Sequence, residues 1–205
     1  MRNLALMWVL AGVAVVLLAA GDGKPSVSTF TDKRDRNVYR IVKIGSQTWF
    51  AENLNFAAEG SVCYDNKAKN CAKYGRLYNW ETAKKACPAG THLPSVEEWT
   101  ELTDYVGGLS VAGKKLKSTS GCYNNGNGTD DYGFSALPGG IGRDDGDFYS
   151  NRGYGYWWSA TEFNARDAWR RGMYYNNPEV RRNGNSKTFL FSVRCVQDDE
   201  KDRRK

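Results

Sequence analysis

The hydrophobic and polar positions divide the chain into a few regular elements separated by long polar stretches. Residues 4–20 are one unbroken apolar run behind Met1-Arg2-Asn3, and Ala19-Ala20-Gly21 closes it with small residues. That pattern is a secretory signal peptide, so residues 1–21 are expected to be an export signal cleaved after Gly21. The alternative is an uncleaved anchor, although the run is shorter than the ~20 residues that usually span a bilayer. Residues 22–37 are polar and aperiodic and predict a linker. From Val38 the pattern becomes regular. Val38, Ile41, Val42 and Ile44, a turn at Gly45-Ser46-Gln47, and Thr48-Trp49-Phe50-Ala51 predict a β-hairpin. Residues 74–86 place Leu77, Trp80 and Ala83 on one side of a short helix, ended by Cys87-Pro88-Ala89-Gly90. Ser95-Val96-Glu97-Glu98 is a capping box, and Val96, Trp99, Leu102 and Val106 follow at helical spacing until Gly107-Gly108. Residues 118–155 hold only scattered apolar anchors among Gly, Asn, Asp and Ser, which predicts a long loop region. Residues 156–159, 168–175 and 189–196 predict three closing strands joined by Asn/Gly turns. This order implies an α+β domain over residues 38–197, followed by a charged tail at residues 198–205.

Composition narrows the chemistry. The 205 residues include 22 Gly, 12 Tyr and 7 Trp but a single histidine, His92. Zinc sites built on several imidazoles are thereby excluded, and a Ser-His or Cys-His dyad would have to use His92. His92 stands at a turn entering the capped helix, where an imidazole commonly fixes a corner by bonding backbone. Export implies an oxidising compartment, in which Cys63, Cys71, Cys87, Cys122 and Cys195 suit disulfides better than metal ligands. Spacing leaves the pairing open: Cys63 and Cys71 could close a local loop, Cys87 and Cys195 could tie the start of the domain to its end, and Cys122 is the odd one. Lys and Arg number 29 against 23 acids, a net charge of +6 without a concentrated basic face, so no nucleic-acid partner is expected.

The ordered blocks Gly45-x-Gln47-x-Trp49-x-Ala51-Glu52-Asn53-Leu54, Tyr74-Gly75-Arg76-Leu77-Tyr78, Cys87-Pro88-x-Gly90-x-His92-Leu93-Pro94-Ser95 and Ser192-Val193-Arg194-Cys195 give the chain a family likeness. Between them stand Gly133-Phe134-Ser135-Ala136-Leu137-Pro138-Gly139-Gly140 and Trp158-Ser159-Ala160-Thr161-Glu162. The chain resembles the Fibrobacter succinogenes major paralogous domain. That resemblance implies a C-type lectin-like fold, close to the formylglycine-generating-enzyme type, with two helices packed on twisted antiparallel sheets and a long loop region. It also supports a bridge from Cys87 to Cys195. The formylglycine-generating relatives look like oxidases that hold copper on paired cysteines near the last strand, and residues 183–192 here contain none. No catalytic residue is therefore assigned.

No cofactor is assigned. Calcium is the one ion considered, because Asp130, Asp131, Asp144, Asp145 and Asp147 offer hard oxygen ligands, but their spacing matches no known loop and the metal ligands stay unassigned. Aromatic residues beside amides and guanidiniums suit a ligand face, since sugar rings stack on indole and phenol and Tyr and Arg dominate protein hot spots. Tyr156, Trp157, Trp169, Arg170, Tyr174, Asn176, Arg181 and Asn183 are the expected binding residues. Tyr154, Tyr175, Arg171, Asn177 and Asn185 stand beside them, whereas Trp158, Trp49, Trp80 and Trp99 are expected in the core. The expected function is an exported, non-catalytic module, secreted or at the cell envelope, that binds a surface carbohydrate or a protein through its C-terminal strands and loops. The alternative is a structural subunit of an envelope or extracellular assembly, with self-association through the same surface.

Overall fold

A computed structural model describes residues 27–150 and 153–199. The expected export signal and all but the first two residues of the charged tail lie outside the described residues. Two five-stranded sheets carry the fold. The first has the order β1-β2-β3-β12-β5, from β1 (Val27–Thr31), β2 (Val38–Ile44), β3 (Gln47–Phe50), β12 (Val196–Gln197) and β5 (Thr91–His92). The second has the order β10-β9-β8-β11-β4, from β10 (Val180–Ser186), β9 (Asp167–Tyr174), β8 (Tyr154–Glu162), β11 (Phe191–Ser192) and β4 (Leu77–Tyr78). A two-stranded ribbon, β6 (Ile141–Gly142) with β7 (Phe148–Tyr149), breaks the long loop region. The described residues form four α-helices, α1 (Ala68–Tyr74), α2 (Trp80–Ala86), α3 (Val96–Tyr105) and α4 (Leu109–Leu116), so the protein is α+β.

The hairpin and the capped helix stand as predicted. Ser95 Oγ accepts the Glu98 amide while Glu98 reaches back to the Ser95 amide, closing the box at the start of α3. Four expectations need correction. Part of the predicted linker is β1, which pairs antiparallel with β2. Phe30 packs on Phe50 there, and the buried Asp32 holds Arg34 at 2.7 Å. The single helix predicted over residues 74–86 is instead the end of α1, then β4, then α2. Gly75 (φ 75°) ends α1 against Asn53 and Leu54, where a Cβ would come within 2.7 Å of Asn53 Cβ, and Asn79 restarts the helix by accepting the Thr82 amide. Four helices replace the expected two because α1 and α4 also form. The strand predicted over residues 189–196 is split, since residues 193–195 cross from the second sheet to the first. On the way Val193 O accepts from Leu54 N and Cys195 O from Phe50 N.

Two disulfides lock this frame, Cys63–Cys71 and Cys87–Cys195, and Cys122 is free. At the centre Arg194 is fully buried: Nη1 donates to Phe50 O and Phe134 O, and Nη2 to Asn53 Oδ1 at 2.8 Å. The same Asn53 oxygen accepts Trp157 Nε1 at 2.8 Å, and Asn53 Nδ2 donates to Tyr74 O at 2.8 Å. One amide thus joins β8, the turn after α1 and the crossing segment. Trp49, Trp80, Trp99 and Trp158 are buried as expected.

Candidate functional site

Side chains alternate across a strand, so the register of β8, β9 and β10 fixes which residues share a face. Trp158 pairs with Arg170 and Arg170 with Asn183; Tyr156 pairs with Gly172 and Gly172 with Arg181; Tyr154 pairs with Tyr174. These rows place Tyr156, Arg170, Tyr174, Arg181 and Asn183, five of the expected binding residues, on one face with Tyr154 and Asn185. The cluster is closely built. Tyr154 and Tyr156 lie parallel, 8° apart in plane with ring centres 6.4 Å apart, and Tyr174 meets Tyr154 edge-on at 4.7 Å. The Arg170 guanidinium lies 4.6 Å from the Tyr156 ring centre, its Nε donates to Asn185 Oδ1 at 2.7 Å, and its Nη1 reaches the Tyr174 hydroxyl at 3.4 Å. Arg181 covers the Tyr174 ring at 5.0 Å. Burial, then the bond with Tyr174, raises the Tyr156 phenol above its ordinary pKa, so it stays a neutral hydroxyl at any physiological pH.

Gly172 makes the close approach feasible. A Cβ there would stand 2.6 Å from Arg170 Nη1 and 3.1 Å from the Tyr174 ring. Neither this glycine nor the pairing of Arg170 with Asn185 was expected. The available signal was a glycine inside a strand, which often marks close approach by another group.

Three expected residues fall elsewhere. Trp157 projects to the opposite face and is buried beneath Gly155, so it packs in the core instead of standing on the surface as expected. Trp169 also lies on the opposite face, edge-on to Phe163 at 4.6 Å and under Arg182 at 5.2 Å. Asn176 is exposed in the loop between β9 and β10. Within the chosen face Tyr156 and Arg170 are themselves largely enclosed, which leaves Tyr154, Tyr174, Arg181 and Asn183 as the more open rim.

The other candidate chemistry is engaged internally. His92 does not bond backbone as expected. Its Nδ1 meets Asp198 Oδ1 at 2.6 Å and its Nε2 meets Glu98 Oε1 at 2.7 Å. The bond to Glu98, more than that to Asp198, raises the imidazole pKa to about 9. Among the described residues no three His, Cys, Asp or Glu side chains gather as a metal site. Asp130 spends both oxygens on the Ser135 amide and hydroxyl, and Asp147 accepts the Tyr149 hydroxyl at 2.9 Å. A groove of about 540 Å³ beside Phe148 and Leu190 has its cations paired, Lys187 with Glu162 at 2.8 Å and Arg143 with Asp145 at 3.4 Å. No helix among the described residues is long and apolar enough to cross a membrane.

The sequence model of the Fibrobacter succinogenes major domain family matches residues 42–197. The chain belongs to that family. Searches of curated proteins and of solved structures gave no match. In this family member the two disulfides fit an oxidising environment.

Proposed function

We propose that this Fibrobacter succinogenes major domain protein is an exported, non-catalytic binding module of C-type lectin-like architecture, which grips a surface carbohydrate or a protein through the Tyr154–Tyr156–Arg170–Tyr174 face of its C-terminal sheet. The observation that carries this is the character of that face. Tyrosine rings, a guanidinium and amides meet on one side of three regular strands, and the frame behind them is cross-linked and closely packed. Packing α2 and α3 against two sheets, with a bridge from the end of α2 to the segment before the last strand, supports the lectin-like comparison. A rigid sheet is a suitable platform because little conformational freedom is lost on binding.

The test is binding of the purified protein to a panel of soluble and insoluble glycans and to envelope proteins, with and without a calcium chelator. Saturable binding without ligand turnover is expected. Chelation should leave it unchanged, because Asp130, Asp145 and Asp147 bond within their own loops. Turnover of a bound ligand would overturn the proposal. Concentration-dependent self-association with no ligand bound would move the face to subunit contacts.

A further inference from the structure

Arg170 is 9% exposed, yet among the described residues no carboxylate lies within 4.0 Å of it. Several cations elsewhere on the surface do have carboxylate partners: Arg34 with Asp32, Arg40 with Glu52, Lys84 with Glu81 and Lys187 with Glu162. The hydrogen-bond partners of Arg170 are neutral, Asn185 and Tyr174, and nothing among the described residues bonds its Nη2. A planar guanidinium with an unbonded Nη2 matches a carboxylate with two parallel bonds. Arg181 adds a second cation on the same face, shared only loosely with Glu179 at 3.6 Å.

Resting on the binding reading above, we infer that this face takes a carboxylate-bearing polysaccharide, a polymer of hexuronate units. One carboxylate would sit on Arg170 and the pyranose rings would lie against Tyr154 and Tyr174. The groups surrounding the guanidinium favour this over an acidic peptide. Phenols and amides (Tyr154, Tyr174, Asn183, Asn185) suit an anion flanked by hydroxyls, which a uronate has and a glutamate side chain lacks. The part-exposed Tyr154 and Tyr174 rings supply aromatic surface against which the C–H faces of a sugar pack.

Isothermal titration of the protein with polygalacturonate and with alginate tests this, beside carboxyl-reduced polygalacturonate and polyglutamate. At least one uronate polymer should bind saturably, and binding should weaken with added salt. Reduction of the carboxylates to neutral hydroxymethyl groups should weaken it about ten- to a hundredfold, the usual range for losing a hydrogen-bonded charge. Arg170→Lys keeps the charge but loses the fork, and should weaken binding of the uronate polymer more than binding of its carboxyl-reduced form. Equal affinity for the reduced polymer, equal affinity for polyglutamate, or no binding of either uronate polymer overturns the inference. Binding of another glycan or a protein to the same face would then leave the binding-module reading standing. Absence of any ligand across the wider panel removes both.

Discussion

Arg170 and Arg171 are neighbours in the chain that point to opposite sides of β9, and the two faces they serve differ in kind. Arg171 enters the core beside Trp157 and Met173, is fully buried, and spends Nη2 on Val96 O at 3.1 Å. Burial first, then Arg182, lowers its pKa to about 10. Arg194 behaves similarly, bonding carbonyls and Asn53 inside the frame. These two guanidiniums join segments of backbone. Arg170 bonds no backbone carbonyl, only the Asn185 side chain and the Tyr174 hydroxyl, and it covers the Tyr156 ring at the edge of the core. The motif residues that carry the family resemblance, Asn53, Gly75, Trp158 and Arg194 among them, belong to the frame. The face residues Tyr154, Tyr156, Arg170, Tyr174, Arg181 and Asn183 fall between those motifs. One side of β9 therefore packs into the scaffold, and the other carries the proposed recognition face.

This division predicts that frame variants lose stability, whereas face variants lose binding. The largest effect is expected for Cys87→Ala/Cys195→Ala, which opens a loop of 108 residues. In the chain-entropy model it should cost roughly 4–5 kcal/mol in denaturant unfolding. Asn53→Ala strands the Trp157 indole and one Arg194 donor inside the core, and should cost about 2–3 kcal/mol in the same measurement. The His92 bridge gives a smaller, pH-dependent effect. Its folded pKa of about 9 lies above the ordinary 6.5, so its stabilisation is complete below about pH 6.5, declines as pH rises, and is lost above about pH 9. Allowing for solvent screening at a part-exposed site, the loss should be on the order of 1 kcal/mol, and absent in His92→Gln. On the acid side, burial opposes ionisation of Glu98, but bonds from His92 and Ser95 outweigh it and lower its pKa, so its contribution is lost only as pH falls below the ordinary carboxylate range. The smallest stability change is expected for Gly172→Ala. The new methyl displaces the flexible tip of Arg170 and crowds the edge of the Tyr174 ring at 3.1 Å, so unfolding should shift by no more than about 1 kcal/mol. Ligand affinity should nevertheless fall, because the guanidinium leaves Asn185.

Local signals accounted for the elements that carry them. The α3 box needs only Ser95 and Glu98, and the β2–β3 hairpin needs only its β-branched run and Gly45. β10 escaped notice because Val180 is its only apolar residue; as an edge strand it is held by pairing with β9, not by burying alternate positions. α4 follows immediately on Gly107-Gly108, which marked an end and concealed a restart. The strands β8 and β9 that carry the proposed face were legible in their aromatics and arginines, but their phase was not. Adjacent Trp157 and Trp158 are both buried because β8 has core on both sides, so alternation could not tell which neighbour faces a ligand. The position of Trp169 with Phe163, and of Arg170 over Gly172, depends on register with β10 and lies beyond any local pattern.

The most direct measurement is a paired one on Tyr174→Ala/Arg181→Ala, two substitutions at the more open rim of the face: affinity for whichever ligand the unaltered protein binds, and free energy of unfolding. Binding lost, with stability lowered by about 1–2 kcal/mol and the protein still folded, is the expected result. Full affinity in the double variant would contradict the assignment of this face as the binding surface.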